Sequence, residues 1–180
     1  MCRTSLTVLL ATIVLPAAAQ TGTVFIPKAI VLPGTTTAEA AANQVWSLRA
    51  ALNVAALQCQ FSPFLRTVPH YNALIKQHAK EFTRAQAALG GYFRRTAGKG
   101  AANALDRYNT RLYQSYTTLD AQLAFCDAAS ATGRDVLTQP IGRLGAIALT
   151  EVTAVRASLT PVAAPPIAIT LPDAETQAGG

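Results

Sequence analysis

His78 and Glu81 are the two residues whose types and spacing come closest to those of a metal site. They lie three positions apart, a spacing that places both on one face of a helix, and His70 lies two turns earlier. A di-metal carboxylate centre also requires several inward-facing carboxylates, and the apolar stripes of this chain contain almost none. The pattern therefore favours a histidine that is hydrogen bonded within the core, and we predict no metal ion and no cofactor.

Two other catalytic patterns fail on their spacing. The segment from Gly91 to Lys99 has some features of a phosphate-binding loop, but Gly100 stands where Ser or Thr would coordinate magnesium. No motif places a histidine near a serine and an aspartate, so a hydrolytic triad has no support. We predict that the protein is not an enzyme.

Aromatic residues cluster in the middle of the chain and allow two interpretations. Tyr92, Phe93, Tyr108, Tyr113 and Tyr116 could line a ligand groove, since tyrosine offers a flat face and a hydroxyl group. Alternatively, Tyr108 and Tyr116 fill the edge of the core, which their positions in a heptad pattern already explain. The core interpretation is favoured, and a bundle that binds a small ligand or a metal is kept as the alternative function.

The first 19 residues are typical of a cleaved secretory signal. Arg3 supplies a positive start, Leu6–Leu15 is an apolar run, and Ala17–Ala19 form an A-x-A cleavage site. The run is about ten residues long, against the roughly 20 that a membrane-spanning helix needs. We therefore expect cleavage before Gln20, no transmembrane segment after cleavage, and a periplasmic or secreted protein.

Two cysteines remain once the signal, which contains Cys2, has been removed. An even number of cysteines in a protein sent to an oxidising compartment indicates a disulfide, here between Cys59 and Cys126. The alternative is two separate buried thiols, because free cysteine packs as a small hydrophobic residue.

Positive charge is concentrated between residues 76 and 119, a stretch that we call the basic hairpin. It holds eight Lys and Arg residues against Glu81 and Asp106, so its net charge of +6 (eight minus two) equals that of the whole chain. This excess either serves solubility or contacts the phosphate and carboxylate groups of anionic lipid or polysaccharide. No nucleic acid is expected to meet an exported protein. The candidate anion-contacting residues are Arg84, Arg94, Arg95, Lys99, Arg107 and Arg111.

The elements that would position these residues are helices. Thr36 and Glu39 have the spacing of a capping box and begin a helix that runs to about residue 60, where Pro63 prevents its continuation. A second helix is predicted from about residue 67 to the glycines at 98 and 100, and a last one from about residue 140 to 159.

The clearest helical period lies between them, at residues 101–129. Leu105, Leu112, Leu119 and Cys126 recur every seven residues, which predicts one long helix that serves as the central rod. Short links make the first three helices alternate in direction, so that Cys59 and Cys126 come to the same end. Hydrophobic residues make up 51% of the chain but aromatic residues only 7%, a balance that suits close-packed helices.

We therefore predict an all-α, up-down helical bundle of three to four helices with one disulfide. Its parts are a signal peptide at 1–19, an extended arm at 20–37, the bundle domain at 38–160 and a disordered, proline-rich tail at 161–180. The arm is too apolar for a solvated linker, so it either covers the bundle or meets a partner; the first alternative is favoured.

Three segments of the predicted helices also resemble a group of small secreted proteins of Gram-negative bacteria that has no assigned function. The segments are LRAALNVAALQCQFSPFL, YNALIKQHAKEF and ALDRYNTRLYQSYTTLDAQLAFC, and the likeness covers roughly residues 45 to 140. The resemblance implies a periplasmic or secreted helical protein and brings no catalytic residues.

Overall fold

The computed structural model describes residues 27–160, and all regular structure within that range is helical. The predicted signal at 1–19, the first part of the arm at 20–26 and the tail at 161–180 lie outside the described residues. The prediction of an all-α, up-down bundle with one disulfide is confirmed. Six α-helices follow one another within 27–160: α1 (Thr37–Gln58), α2 (Thr67–Gln77), α3 (Ala79–Ala97), α4 (Ala101–Gln114), α5 (Gln122–Leu137) and α6 (Leu144–Ala157), with 3₁₀ turns at Pro63–Leu65 and Gly98–Gly100.

Helix α1 is the centre of the bundle and contacts each of the other five α-helices. It begins where the capping box predicted: the Thr36 amide donates to Glu39 Oε2 at 2.8 Å, and the Glu39 amide donates to Thr36 Oγ1 at 3.2 Å. Ala51 and Ala55 are fully buried, and their small side chains let neighbouring helices approach closely. The expectation that residues 101–129 would form the central rod is wrong, because α1 has that position.

Residues 101–129 are also not one helix, since the segment from Ser115 to Ala121 separates α4 from α5. Hydroxyl groups in this segment bond to the backbone and compete with the helical ladder. Ser115 Oγ donates to the carbonyl oxygen of Leu112 at 2.8 Å, and Thr118 Oγ1 accepts from the Ala121 amide at 3.3 Å. Leu119, which the heptad placed on the buried seam, is 85% exposed.

The two halves of the expected rod have different neighbours. Both halves contact α1, but α4 packs mainly against α3; Trp46 Nε1 of α1 donates to Asn109 Oδ1 of α4 at 2.8 Å. Helix α5 lies beside α2, where Gln77 Nε2 donates to the carbonyl oxygen of Leu137 at 3.3 Å. The interruption therefore allows one predicted helix to cover two sides of the bundle.

The second predicted helix is bent rather than straight. It divides at His78 (φ −105°, ψ 21°), which ends α2 and precedes α3. Backbone hydrogen bonds continue across this point, because the His78 amide donates to Leu74 and the His78 carbonyl accepts from Phe82. Helix α3 ends at Gly98, as expected from the glycine, whose φ of 54° is a left-handed conformation that other residues adopt at a cost.

The disulfide between Cys59 and Cys126 is present, which confirms the pairing. It joins the residue that ends α1 to the second turn of α5, with 5.6 Å between the two Cα atoms, and both cysteines are fully buried. None of the helices described at 27–160 combines the length and the apolar character that crossing a membrane requires.

The described part of the arm, residues 27–36, lies against the bundle. Ile30 and Leu32 pack on the core, and Tyr92 Oη donates to the carbonyl oxygen of Pro33 at 2.9 Å. Arg156 of α6 donates to the carbonyl oxygen of Pro27 at 2.6 Å. For these residues the first alternative, an arm that covers the bundle, is therefore correct.

We predict that Gly133→Ala destabilises the protein although alanine is the better helix former. A Cβ atom at position 133 of α5 would lie 3.0 Å from the Cβ of His70, which is fixed to the α2 backbone and cannot rotate away. The overlap should cost about 1–3 kcal/mol and outweigh the gain in helix propensity of about 1 kcal/mol. Urea denaturation measures the free energy of unfolding. Gly145→Ala is the matched control, because a Cβ atom there has no neighbour within 4 Å and the substitution should stabilise; equal effects at both sites would contradict the prediction.

Candidate functional site

The basic hairpin presents its cations to solvent. Helices α3 and α4 are joined by the tight turn Gly98–Gly100, and all eight Lys and Arg side chains of the hairpin are exposed. One of its two acidic residues, Glu81, is buried, so only Asp106 offers a surface carboxylate within the hairpin. The exposed surface is therefore more positive than the sequence count indicates.

Arg95 differs from the other candidate residues because it has a structural role. Its guanidinium group donates to Glu39 Oε2 at 2.6 Å and to the carbonyl oxygen of Gly34 at 3.2 Å, and so fastens the end of α3 to the arm and to the start of α1. Hydrogen bonding from the Thr36 amide, together with Arg95, outweighs desolvation and lowers the pKa of Glu39. Sequence reasoning grouped Arg95 with the free cations, since its partner lies 56 positions away.

The remaining candidates form no ion pair within residues 27–160. Arg107 and Arg111 are one helical turn apart on the exposed face of α4, and Arg94 and Lys99 lie at and just beyond the end of α3. Arg84 lies further along α3 and is likewise exposed. Such unpaired cations are available to anionic groups of a partner.

His78 and Glu81 form a buried pair that holds α3 to α6. His78 Nδ1 and Glu81 Oε2 are 2.6 Å apart, and the Glu81 carboxylate also accepts from the amides of Gly142 at 3.0 Å and Leu144 at 2.9 Å. Burial disfavours the charged carboxylate, but these hydrogen bonds outweigh it and lower the pKa of Glu81. The carboxylate therefore caps the start of α6, a helix N-terminus that favours negative charge.

His70 does not join this pair. It packs against Gly133 of α5, and burial, followed by the charges of Arg134 and Arg66, lowers the pKa of His70. Among residues 27–160 no three His, Cys, Asp or Glu side chains are grouped as a metal ion would require. The geometry thus gives His78 and Glu81 a structural role between helices.

The central tyrosines belong to the core, as the favoured interpretation predicted. Tyr108 and Tyr116 are 4% and 0% exposed, and their hydroxyl groups bond to α1. Tyr108 donates to Asn43 Oδ1 at 2.6 Å, and the Tyr116 and Ser47 hydroxyl groups are 2.7 Å apart. Burial raises the pKa of Tyr108. These hydroxyl groups are already partnered, so they leave no open groove lined by Tyr108 and Tyr116.

A small cavity lies under the arm, between α1 and α6, and sequence reasoning missed it. Its volume is about 170 Å3, and its lining combines the arm residues 29–32 with Asn43, Ser47 and Arg156. Its walls come from segments up to 127 positions apart, from residue 29 to residue 156, which no local pattern connects. The one indication of this cavity in the sequence was Arg156, an arginine that interrupts the apolar pattern of the last helix.

Comparisons with known proteins add no indication of function. No family model, no curated protein and no solved structure matches this chain. The resemblance to the uncharacterised secreted group therefore stays a prediction.

Proposed function

We propose that this protein is a non-enzymatic helical module, periplasmic or secreted, that binds anionic lipid surfaces through the basic hairpin. The observation that supports this proposal is the set of exposed hairpin cations, of which all but Arg95 form no ion pair within residues 27–160. Phosphate groups at a lipid surface offer a dense array of negative charge to such residues.

The disulfide supports the proposed location. Cys59 and Cys126 are bonded, and structural disulfides persist in oxidising compartments such as the periplasm or the cell exterior. The predicted signal peptide agrees with this location but lies outside the described residues. In those compartments lipid head groups and surface polysaccharides are the abundant polyanions, and lipid is the partner that we propose.

The energetics favour several weak contacts rather than one strong contact. A cation near an anionic membrane contributes about 1 kcal/mol, and the attraction decays over about 8–10 Å at physiological salt. Several hairpin cations acting together therefore give measurable binding at low salt and much weaker binding at high salt.

We predict that the protein co-sediments with anionic phospholipid vesicles at low salt and is released at high salt. The variant Arg94→Gln, Lys99→Gln, Arg107→Gln should lose about 3 kcal/mol of binding free energy, or about a hundredfold in affinity. Arg95 is left unchanged, because its pairing with Glu39 would confound binding with stability.

The control variant removes the same charge elsewhere: Lys28→Gln, Arg66→Gln, Arg143→Gln. These three side chains are exposed and lie outside the hairpin, so this variant should bind nearly as well as the unmodified protein. Equal losses of affinity in both variants would mean that net charge alone determines binding, and would refute the hairpin as the binding site. If the protein bound anionic polysaccharide but not the vesicles, lipid would be the wrong partner and polysaccharide the correct one.

A further inference from the structure

The cavity under the arm contains a cation without an acidic partner. Arg156 of α6 lines the cavity and is partly buried, yet no Asp or Glu side chain within residues 27–160 forms an ion pair with it. Its guanidinium group donates instead to two neutral oxygen atoms, the Pro27 carbonyl at 2.6 Å and Ser115 Oγ at 3.4 Å. A partly buried cation of this kind favours a negative charge nearby.

The orientation of Arg156 is fixed from several sides. The guanidinium carbon lies 5.2 Å from the centre of the Tyr116 ring, and the Tyr116 hydroxyl group is held by Ser47. An arginine has five N–H donors, and the two neutral oxygen atoms use two of them. The remaining donors suit a carboxylate, which a guanidinium group binds through two parallel hydrogen bonds.

The rest of the cavity lining is divided between polar and apolar groups. Ser47, Asn43 and Gln44 supply polar atoms, whereas Ile30, Leu32 and Val152 supply an apolar wall. The arm also contributes to the roof of the cavity, where Asn43 Nδ2 donates to the carbonyl oxygen of Ile30 at 3.5 Å. Small-ligand sites typically combine an apolar wall with a few polar groups that fix orientation.

The size and charge of the cavity restrict the ligand. Its volume of about 170 Å3 is close to that of an apolar cavity of about 150 Å3 that binds benzene. One guanidinium group balances one negative charge, and a dianion such as phosphate would leave a charge uncompensated. We infer that the cavity beneath the arm binds a small organic monocarboxylate with a short apolar body, with its carboxylate on Arg156 and its body against Ile30, Leu32 and Val152.

Benzoate and pentanoate test this inference, with benzamide and pentanamide as neutral analogues of the same shape. Titration calorimetry and the melting temperature of the disulfide-bonded protein should both report binding of at least one carboxylate. The matching amide should bind about tenfold more weakly or not at all, because the charge-assisted hydrogen bonds are lost. Equal affinities for a carboxylate and its amide, or no binding of either carboxylate, would overturn the inference.

Two substitutions locate the site. Arg156→Gln keeps polar atoms but removes the charge, and it should weaken carboxylate binding about tenfold or more. Because Arg156 also holds the arm, Ala40→Phe provides an independent test: residue 40 lines the cavity, and a phenyl ring there should fill it. Ala41→Phe is the control, since Ala41 lines a separate groove between α1 and α3 and this variant should retain binding. Unchanged binding in Ala40→Phe would refute the location.

Discussion

Removal of the disulfide by Cys59→Ala, Cys126→Ala is expected to lower the free energy of unfolding by about 4 kcal/mol. The bond closes a loop of 67 positions that contains α2, α3 and α4, and the loss corresponds to the conformational entropy that this closure removes from the unfolded chain. Small domains are stable by only about 5–15 kcal/mol, so the variant should be close to unfolding at elevated temperature.

Urea denaturation of the oxidised protein and of the double variant measures this difference. The same measurement under reducing conditions is the control, because reduced protein and variant should then have similar free energies of unfolding. A difference below about 1 kcal/mol between oxidised protein and variant would mean that the unfolded chain is already compact around this loop.

Loss of the Glu81 carboxylate is the second large effect that we expect. Glu81→Ala leaves the buried Leu144 amide, the Gly142 amide and the buried His78 ring without their acceptor. Breaking such a buried, charge-assisted network typically costs about 3–5 kcal/mol. Glu81→Gln keeps one acceptor oxygen and should cost less. Glu151→Gln, at a partly exposed residue of α6, is the control and should change stability little.

The same carboxylate makes stability depend on pH in a defined direction. The pKa of Glu81 is lowered in the folded protein from an ordinary value of 4.5, so the charged form stabilises the fold fully above that pH. This contribution is lost as the pH falls below 4.5 and through the folded pKa. The gap in unfolding free energy between Glu81→Gln and the unmodified protein should therefore narrow in acid. His78, Arg84 and Arg143 are present in both proteins, so a constant gap would contradict the assignment.

Local signals predicted the parts of the fold that depend on neighbouring residues. The capping box at Thr36 and Glu39 fixed the start of α1, and Gly98 fixed the end of α3, because both act within one helical turn. The bond between Cys59 and Cys126 was predictable from the number of cysteines alone, because two cysteines in an oxidising compartment allow only one pairing.

Nonlocal contacts decided what the sequence did not predict. The heptad through Leu112 and Leu119 continues across residue 115, but side-chain hydroxyl groups and packing against α2 divide it into two helices. Arg95 was grouped with the surface cations, because its partners on the arm and at the start of α1 are distant in sequence. The candidate hairpin was visible from charge, whereas the cavity depended on tertiary structure.

The central position of α1 has a consequence for biosynthesis. This helix is translated before all the others of the described chain, yet its last neighbour, α6, is translated at the end. The side of α1 that α6 covers therefore stays exposed until about residue 157 has left the ribosome, and exposed apolar surface promotes aggregation. The side of the core between α1 and α6 can therefore close only after α6 has been synthesised.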